Sequence, residues 1–199
     1  MKHNKYEQFK MKIVKRIFLT ILIFLTIGVT LRGILYRHIV TYKSIGQRAN
    51  YEITNDKLAL YVKENCIEKD NVTIKEIIKN SLSLTSKALK FTLSQNDSNP
   101  NKLIVSKTAN CIGYAAFFST VCNYQLKKHN LSEHWIAQPE IGQLYVFGTN
   151  IHQYFNSPSF KDHDFVIITN KTTKETYAVD PSVHDYLYIN FVTLKNNSQ

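Results

Sequence analysis

Residues 17–31 of this 199-residue chain read IFLTILIFLTIGVTL, an uncharged run closed off by Arg16 and Arg32. A helix that is apolar all round must be hidden from water, in a protein core or in a bilayer. A run of this length reaches only about 22 Å as a helix, short of the roughly 30 Å hydrocarbon core. With Arg32 snorkelling toward the headgroups, the span continues through RGILY to Tyr36 and reaches about 30 Å. A cleaved signal peptide wants small residues at a cleavage site after the apolar run. No A-x-A-like site follows, and Thr26 and Gly28, which have the right spacing, lie inside the run. Strongly basic flanks argue against a core helix. The expectation is a basic tail (1–16), a retained membrane anchor (17–36), a juxtamembrane linker (37–56) and one globular domain (57–199). A cleaved signal peptide is the second reading and a core helix the third.

Charge follows the same division. Residues 1–48 carry ten Lys/Arg and a single acid, Glu7, while no Arg follows Arg48 and the longest basic run there is Lys127-Lys128. Most of the formal net charge of +10 therefore belongs to the anchor and its flanks. That pattern points to lipid as a partner. Nucleic-acid binding would need a clustered basic face on the domain, so none is expected. Lys2, Lys5, Lys10, Lys12, Lys15 and Arg16 precede the span, against Arg32, Arg37, Lys43 and Arg48 after its start. The bias favours a cytoplasmic N-terminus and an exported domain.

Three cysteines, Cys66, Cys111 and Cys122, cannot all pair within one chain. Cys111 and Cys122, on one helix, stand about 16 Å apart, too far for a disulfide. A bridge from Cys66 to either stays open. Downstream of the linker, DKLALYVKENC has apolar residues at helical spacing, with Asp56 as the expected cap, and TIKEIIKNSLSLTSKAL opens on a Thr73/Glu76 capping box. SQNDSNPNK (94–102) reads as a loop. After residue 130 the chain turns to short β-branched and aromatic runs: WIAQ, QLYVFGT, DFVIIT, ETYAVD and YLYINFV. Helices first and strands second predict an α+β fold with an antiparallel sheet.

Candidate chemistry centres on NCIGYAAFF, residues 110–118. Asn110 is a good N-cap, which makes Cys111 the first helical residue, and the apolar run behind it predicts a central, buried helix. A thiolate at a helix start faces the positive end of the helix dipole and free backbone N–H groups. Cys122, deep in the same helix, has no such advantage, and both it and Cys66 read as packing residues. A thiol nucleophile needs a histidine to take its proton and a third group to orient that histidine. Of the seven histidines, His163 opens the most apolar strand, HDFVIIT. A hairpin centred between Lys171 and Thr172 would set His163 opposite Asp180, a carboxylate able to hold the imidazole. A slip of one residue in the pairing would send Asp180 to the other face.

The segments NCIGYAAFF, HDFVII and TYAVDPS resemble the three catalytic segments of the transglutaminase-like superfamily, across roughly residues 55–190. The resemblance implies a papain-like α+β core and a Cys-His-Asp triad of Cys111, His163 and Asp180. It implies thiol chemistry on amide bonds of a protein or peptide, by hydrolysis or acyl transfer, and no cofactor. The chain departs from the family after the histidine, where Asp164 and Phe165 stand in place of the common Trp. It also lacks a Trp upstream of Cys111, the lone one being Trp135. One oxyanion donor is then the Cys111 backbone N–H, with Gln95 or Asn96 as candidates for the other. NlpC/P60 cell-wall peptidases share the helix-start Cys and strand-initial His, but AVDPS fits them less well. A third possibility is a transglutaminase-like module that binds without turnover. No phosphate-cradling glycine loop occurs, and no Cys/His spacing suits zinc. DHD (162–164) is a poor metal set, because strand alternation separates His163 from both acids.

Overall fold

The computed structural model describes residues 2–94, 97–157 and 160–195. In chain order the elements are α1 (Lys2–Ile39), β1 (Val40–Gln47), α2 (Asp56–Asn65), α3 (Ile74–Ala88), β2 (Lys90–Phe91) and α4 (Pro100–Ser106). They continue with β3 (Thr108–Ala109), α5 (Cys111–Lys128), β4 (Trp135–Val146), β5 (Thr149–Asn150), β6 (His163–Asn170), β7 (Thr176–Val179), α6 (Pro181–Leu187) and β8 (Thr193–Leu194). A 3₁₀ turn, Ile151–Tyr154, follows β5. The class is α+β.

α1 is one continuous helix. Its stretch Met11–Ile39 is long and apolar enough to cross a membrane, and the most apolar part buries nothing against the rest of the chain. The helix runs three residues past the expected end of the anchor, and β1 follows without a break.

The expected linker is the largest departure. Residues 40–47 form β1, which lies inside the sheet β7-β6-β4-β1-β8. β1 pairs antiparallel with β4 and parallel with β8, so the sheet is mixed rather than antiparallel. Pairing partners as distant as Val40 with Val146 or Thr41 with Thr193 are invisible to a local reading of VTYKSIGQ, whose Lys43, Ser44 and Gln47 look like linker. The sheet also curls nearly shut: Val192, next to β8, bridges Ala178 of β7 at the opposite edge. Tyr42, Phe165, Ala178 and Val192 pack inside the curl.

α5 is central, as its composition predicts. One face packs with α3 onto the sheet, through Ile77, Leu82, Ala115, Phe118, Cys122, Val166 and Ile168. The other meets α2 and α4 through Leu58, Val62, Leu103, Tyr114, Phe117 and Val121. Gly113 allows the close approach at its first turn, since a Cβ there would sit 2.7 Å from the Ala109 Cβ and 3.0 Å from a Leu103 methyl.

Local signals fared unevenly. The Thr73/Glu76 capping box forms, and Asn110 caps α5 by accepting from the Gly113 N–H. The cap of α2 is Asn55, one residue before the expected Asp56. The loop reading of 94–102 ends early, because Asn99 caps and Pro100 opens α4. WIAQ and QLYV are one strand, β4, running through Pro139, and Phe147-Gly148 turn the chain into β5. YLYINFV is not a strand: Tyr186 and Leu187 end α6, Tyr188 adopts left-handed backbone, and β8 begins only at Thr193. The reason is the start signal Asp180-Pro181, an N-cap followed by proline at the first helical position.

Candidate active site

Cys111 and His163 line one cleft of about 590 Å³, with Asn110, Ile112, Arg48, Asp162 and His152 among its polar and flanking walls. Phe91, Leu93, Leu144, Ile151, Phe155 and Phe160 make the rest of it apolar. Cys111 sits at the head of α5, half-buried, and all three cysteines are free thiols. The first N–H groups of a helix have no intrahelical acceptor. Asn110 Oδ1 satisfies that of Gly113 at 3.2 Å. Those of Cys111 and Ile112 have no acceptor among the described residues, and both residues line the cleft.

His163 begins β6, with 19% of its side chain exposed. Its Nε2 donates to Asp180 Oδ2 at 2.6 Å, which leaves Nδ1 as the remaining ring nitrogen. Burial alone disfavours the imidazolium. The Asp180 charge and hydrogen bond, with a smaller contribution from the neighbouring Cys111, outweigh it and hold the His163 pKa well above the ordinary histidine value. Asp180 is fully buried, which raises a carboxyl. The His163 charge and bond, then the Ser182 and Val183 donors, reverse the sign and hold it below the usual range. Both shifts describe an imidazolium–carboxylate pair.

Asp180 reaches His163 by a route other than the expected one. β6 and β7 pair Thr169 with Thr176 and Val166 with Val179, so the hairpin is centred between Thr172 and Thr173. The centre is one residue later than expected, which moves every partner by two and preserves the face. Phe165, not His163, thus falls level with Asp180, and His163 reaches it diagonally. Asn170 sets the later turn: its Oδ1 accepts from the Thr172 and Thr173 N–H groups, and Lys174 takes left-handed backbone. Asp180 itself lies past the end of β7 as the N-cap of α6. Its Oδ1 accepts from Ser182 N, Ser182 Oγ and Val183 N at 3.0, 2.7 and 3.0 Å. Its Oδ2 accepts from Tyr42 Oη at 2.8 Å as well as from His163.

Several residues of the site went unread in the sequence. Tyr42 and Arg48 fall within the expected linker, 37–56. Arg48 forks onto the buried Asp164, with Nε–Oδ2 at 2.8 Å and Nη2–Oδ1 at 3.1 Å. The Asp164 bonds raise the Arg48 pKa, and the charges of Asp162 and Cys111 add to this, which puts the guanidinium within electrostatic reach of the thiol. Asp162 precedes the first residue of β6, so strand alternation does not apply to it, and it lines the cleft beside His163. Gln95 and Asn96 lie outside the described residues. Cys122 is fully buried, and burial pushes its thiol up to about 12. Cys66 is buried and accepts from Lys128 Nζ at 2.8 Å.

Gly142 pairs with His163 across β4 and β6. A Cβ there would meet the Phe165 ring at 2.6 Å and the His163 carbonyl oxygen at 2.8 Å. Gly142→Ala should therefore push β6 outward and destabilise the protein by about 1–3 kcal/mol, measured as a lower urea midpoint.

No protein family model, curated protein or solved structure matches this chain.

Proposed function

We propose that this protein is a membrane-anchored thiol enzyme of the transglutaminase-like kind, cleaving or transferring acyl groups at amide bonds of proteins or peptides. One observation carries the reading: His163 bonds the buried, saturated Asp180 carboxylate and lines the same cleft as the helix-start Cys111. In the first step the Cys111 thiolate attacks the amide carbonyl carbon. The oxyanion forms opposite the Cys111 and Ile112 N–H groups. The His163 imidazolium donates its proton to the departing nitrogen as the C–N bond breaks, leaving a thioester on Cys111. Water or an amine then gives its proton to His163 and attacks the thioester, and the thiolate leaves. Asp180 holds the ring throughout, and Arg48 adds positive charge beside the thiolate.

The apolar cleft walls favour substrates with apolar groups flanking the scissile amide. No cofactor is needed for this chemistry. The anchor reading places 17–36 in the bilayer with the N-terminus cytoplasmic and the domain exported, and lipid is its only expected non-protein partner. A papain-like core is the corresponding fold proposal.

The test is alkylation of the full-length protein by iodoacetamide at neutral pH, read by mass spectrometry of the Cys111 peptide. Cys111 should react faster than free cysteine, and His163→Ala should slow it roughly 100-fold. A Cys111 no faster than free cysteine in the folded protein would favour an inert binding module and end the enzyme reading.

A further inference from the structure

We propose that Tyr42 and Tyr36 are positioning residues for the Cys111–His163 pair, so that α1 is a working part of the site as well as a tether. The inference rests on the acyl-transfer reading above. Asp180 Oδ2 receives two donors, His163 Nε2 and Tyr42 Oη. With three more bonds on Oδ1, the carboxylate carries five in all and has no freedom to turn. Tyr42 also packs its ring against two residues of β6, 6.2 Å from the His163 ring and 5.2 Å from Phe165, centroid to centroid. It is fully buried, so its hydroxyl has no water to turn to.

The proton order along this chain is determined. Tyr42 gives its hydroxyl hydrogen to Asp180, so at the 2.5 Å contact between the two tyrosines Tyr36 must be the donor. Tyr36 belongs to α1, four residues before the helix passes into β1. One polar chain thus runs from the membrane-side helix through Tyr42 and Asp180 to the ring that serves Cys111. α1 grips the same element a second time. Arg32 Nε donates to the Leu187 carbonyl at 2.6 Å, at the C-terminal end of the short helix α6 that Asp180 caps at its N-terminus. A third hold joins the Arg37 carbonyl to Thr193 Oγ1 at 2.9 Å, beside the parallel pairing of β8 on β1. A simple tether needs none of these contacts.

A positioning role acts through His163, and that separates it from a purely structural one. The experiment measures iodoacetamide labelling of Cys111 in the full-length protein in detergent micelles. It compares wild type, Tyr42→Phe, Tyr36→Phe and His163→Ala, and each tyrosine change combined with His163→Ala. Each Tyr→Phe change removes one hydroxyl and keeps the ring packing. Tyr42→Phe should slow labelling about 10- to 100-fold, the loss of one hydrogen bond to a charged group, and Tyr36→Phe about 5-fold. In the His163→Ala background neither should change the rate more than about twofold, because the group they position is gone. Labelling of Tyr42→Phe at the wild-type rate overturns the proposal. So does equal slowing with and without His163, the outcome of a merely structural role. If Tyr42→Phe fails to fold by circular dichroism, Tyr36→Phe decides the matter by the same criterion. A His163→Ala protein that labels as fast as wild type instead removes the acyl-transfer reading itself, and is seen before any tyrosine variant is compared.

Discussion

Asp180→Ala should lower the unfolding free energy by about 3–5 kcal/mol and abolish the proposed acyl-transfer activity. The change strands a buried imidazolium and leaves the donors of Tyr42, Ser182 and Val183 without their acceptor. Asp180→Asn is the sharper variant. Its amide oxygen can still cap α6, but its NH₂ then faces His163 and Tyr42, both of which are donors in the native site. The ring would be driven to the tautomer that carries its hydrogen on Nδ1, toward the thiol, and the turnover rate should fall on the order of 10³- to 10⁴-fold. The pH dependence of the stability loss carries a definite sign. Asp180 is held below its unfolded value near 4, so its contribution is present above that pH and is lost as pH falls through the folded value. His163 is held above its unfolded value near 6.5, so its contribution is complete below that pH and is lost as pH rises through the folded value. The stability difference between wild type and Asp180→Asn should therefore be greatest between about pH 4 and 6.5 and shrink on both sides. Urea unfolding from below that range to well above it, with the slope m monitored, measures it.

Arg48→Met should have the next largest effect, again about 3–5 kcal/mol of stability. The Asp164 side chain has no solvent exposure and the forked Arg48 bonds are its counter-charge. Burial already pushes the Asp164 carboxyl up against the pull of Arg48. Without the guanidinium, the carboxyl must either take up a proton or sit charged in an apolar site. The double change Arg48→Met with Asp164→Leu should recover most of the stability, since an apolar pair in place of a buried ion pair is often neutral. It should not recover fast Cys111 labelling, because the positive charge beside the thiol stays absent. Thermal unfolding and alkylation, measured on the same samples, separate the two consequences.

The hairpin shows how an approximate reading kept its useful content. Placing its centre one residue early moved partners by two, and the period of a strand is two, so His163 and Asp180 stayed on one face. The geometry that brings them together is nevertheless different, a diagonal reach to a helix cap rather than a directly opposed pair. The cap signal is present in Asp180-Pro181, a capping carboxylate followed by proline at the first helical position.

What the sequence determined by itself is what depends on neighbours in the chain. The apolar run before Arg32 dictates a helix that needs a bilayer or a core. Asn110 dictates where α5 starts and hence which of the three cysteines stands at a helix head. Thr73 with Glu76 starts α3. Each rests on hydrogen bonds or periodicity within a few residues. The tertiary structure alone decided that residues 40–47 are a sheet strand, that Arg48 and Asp162 reach the cleft, and that Tyr36 and Tyr42 stand behind Asp180. Tyr42 and Asp180 are 138 positions apart, and Arg48 and Asp164 are 116. Contacts of that separation are chosen by packing of the whole sheet around its core, and no local pattern encodes them.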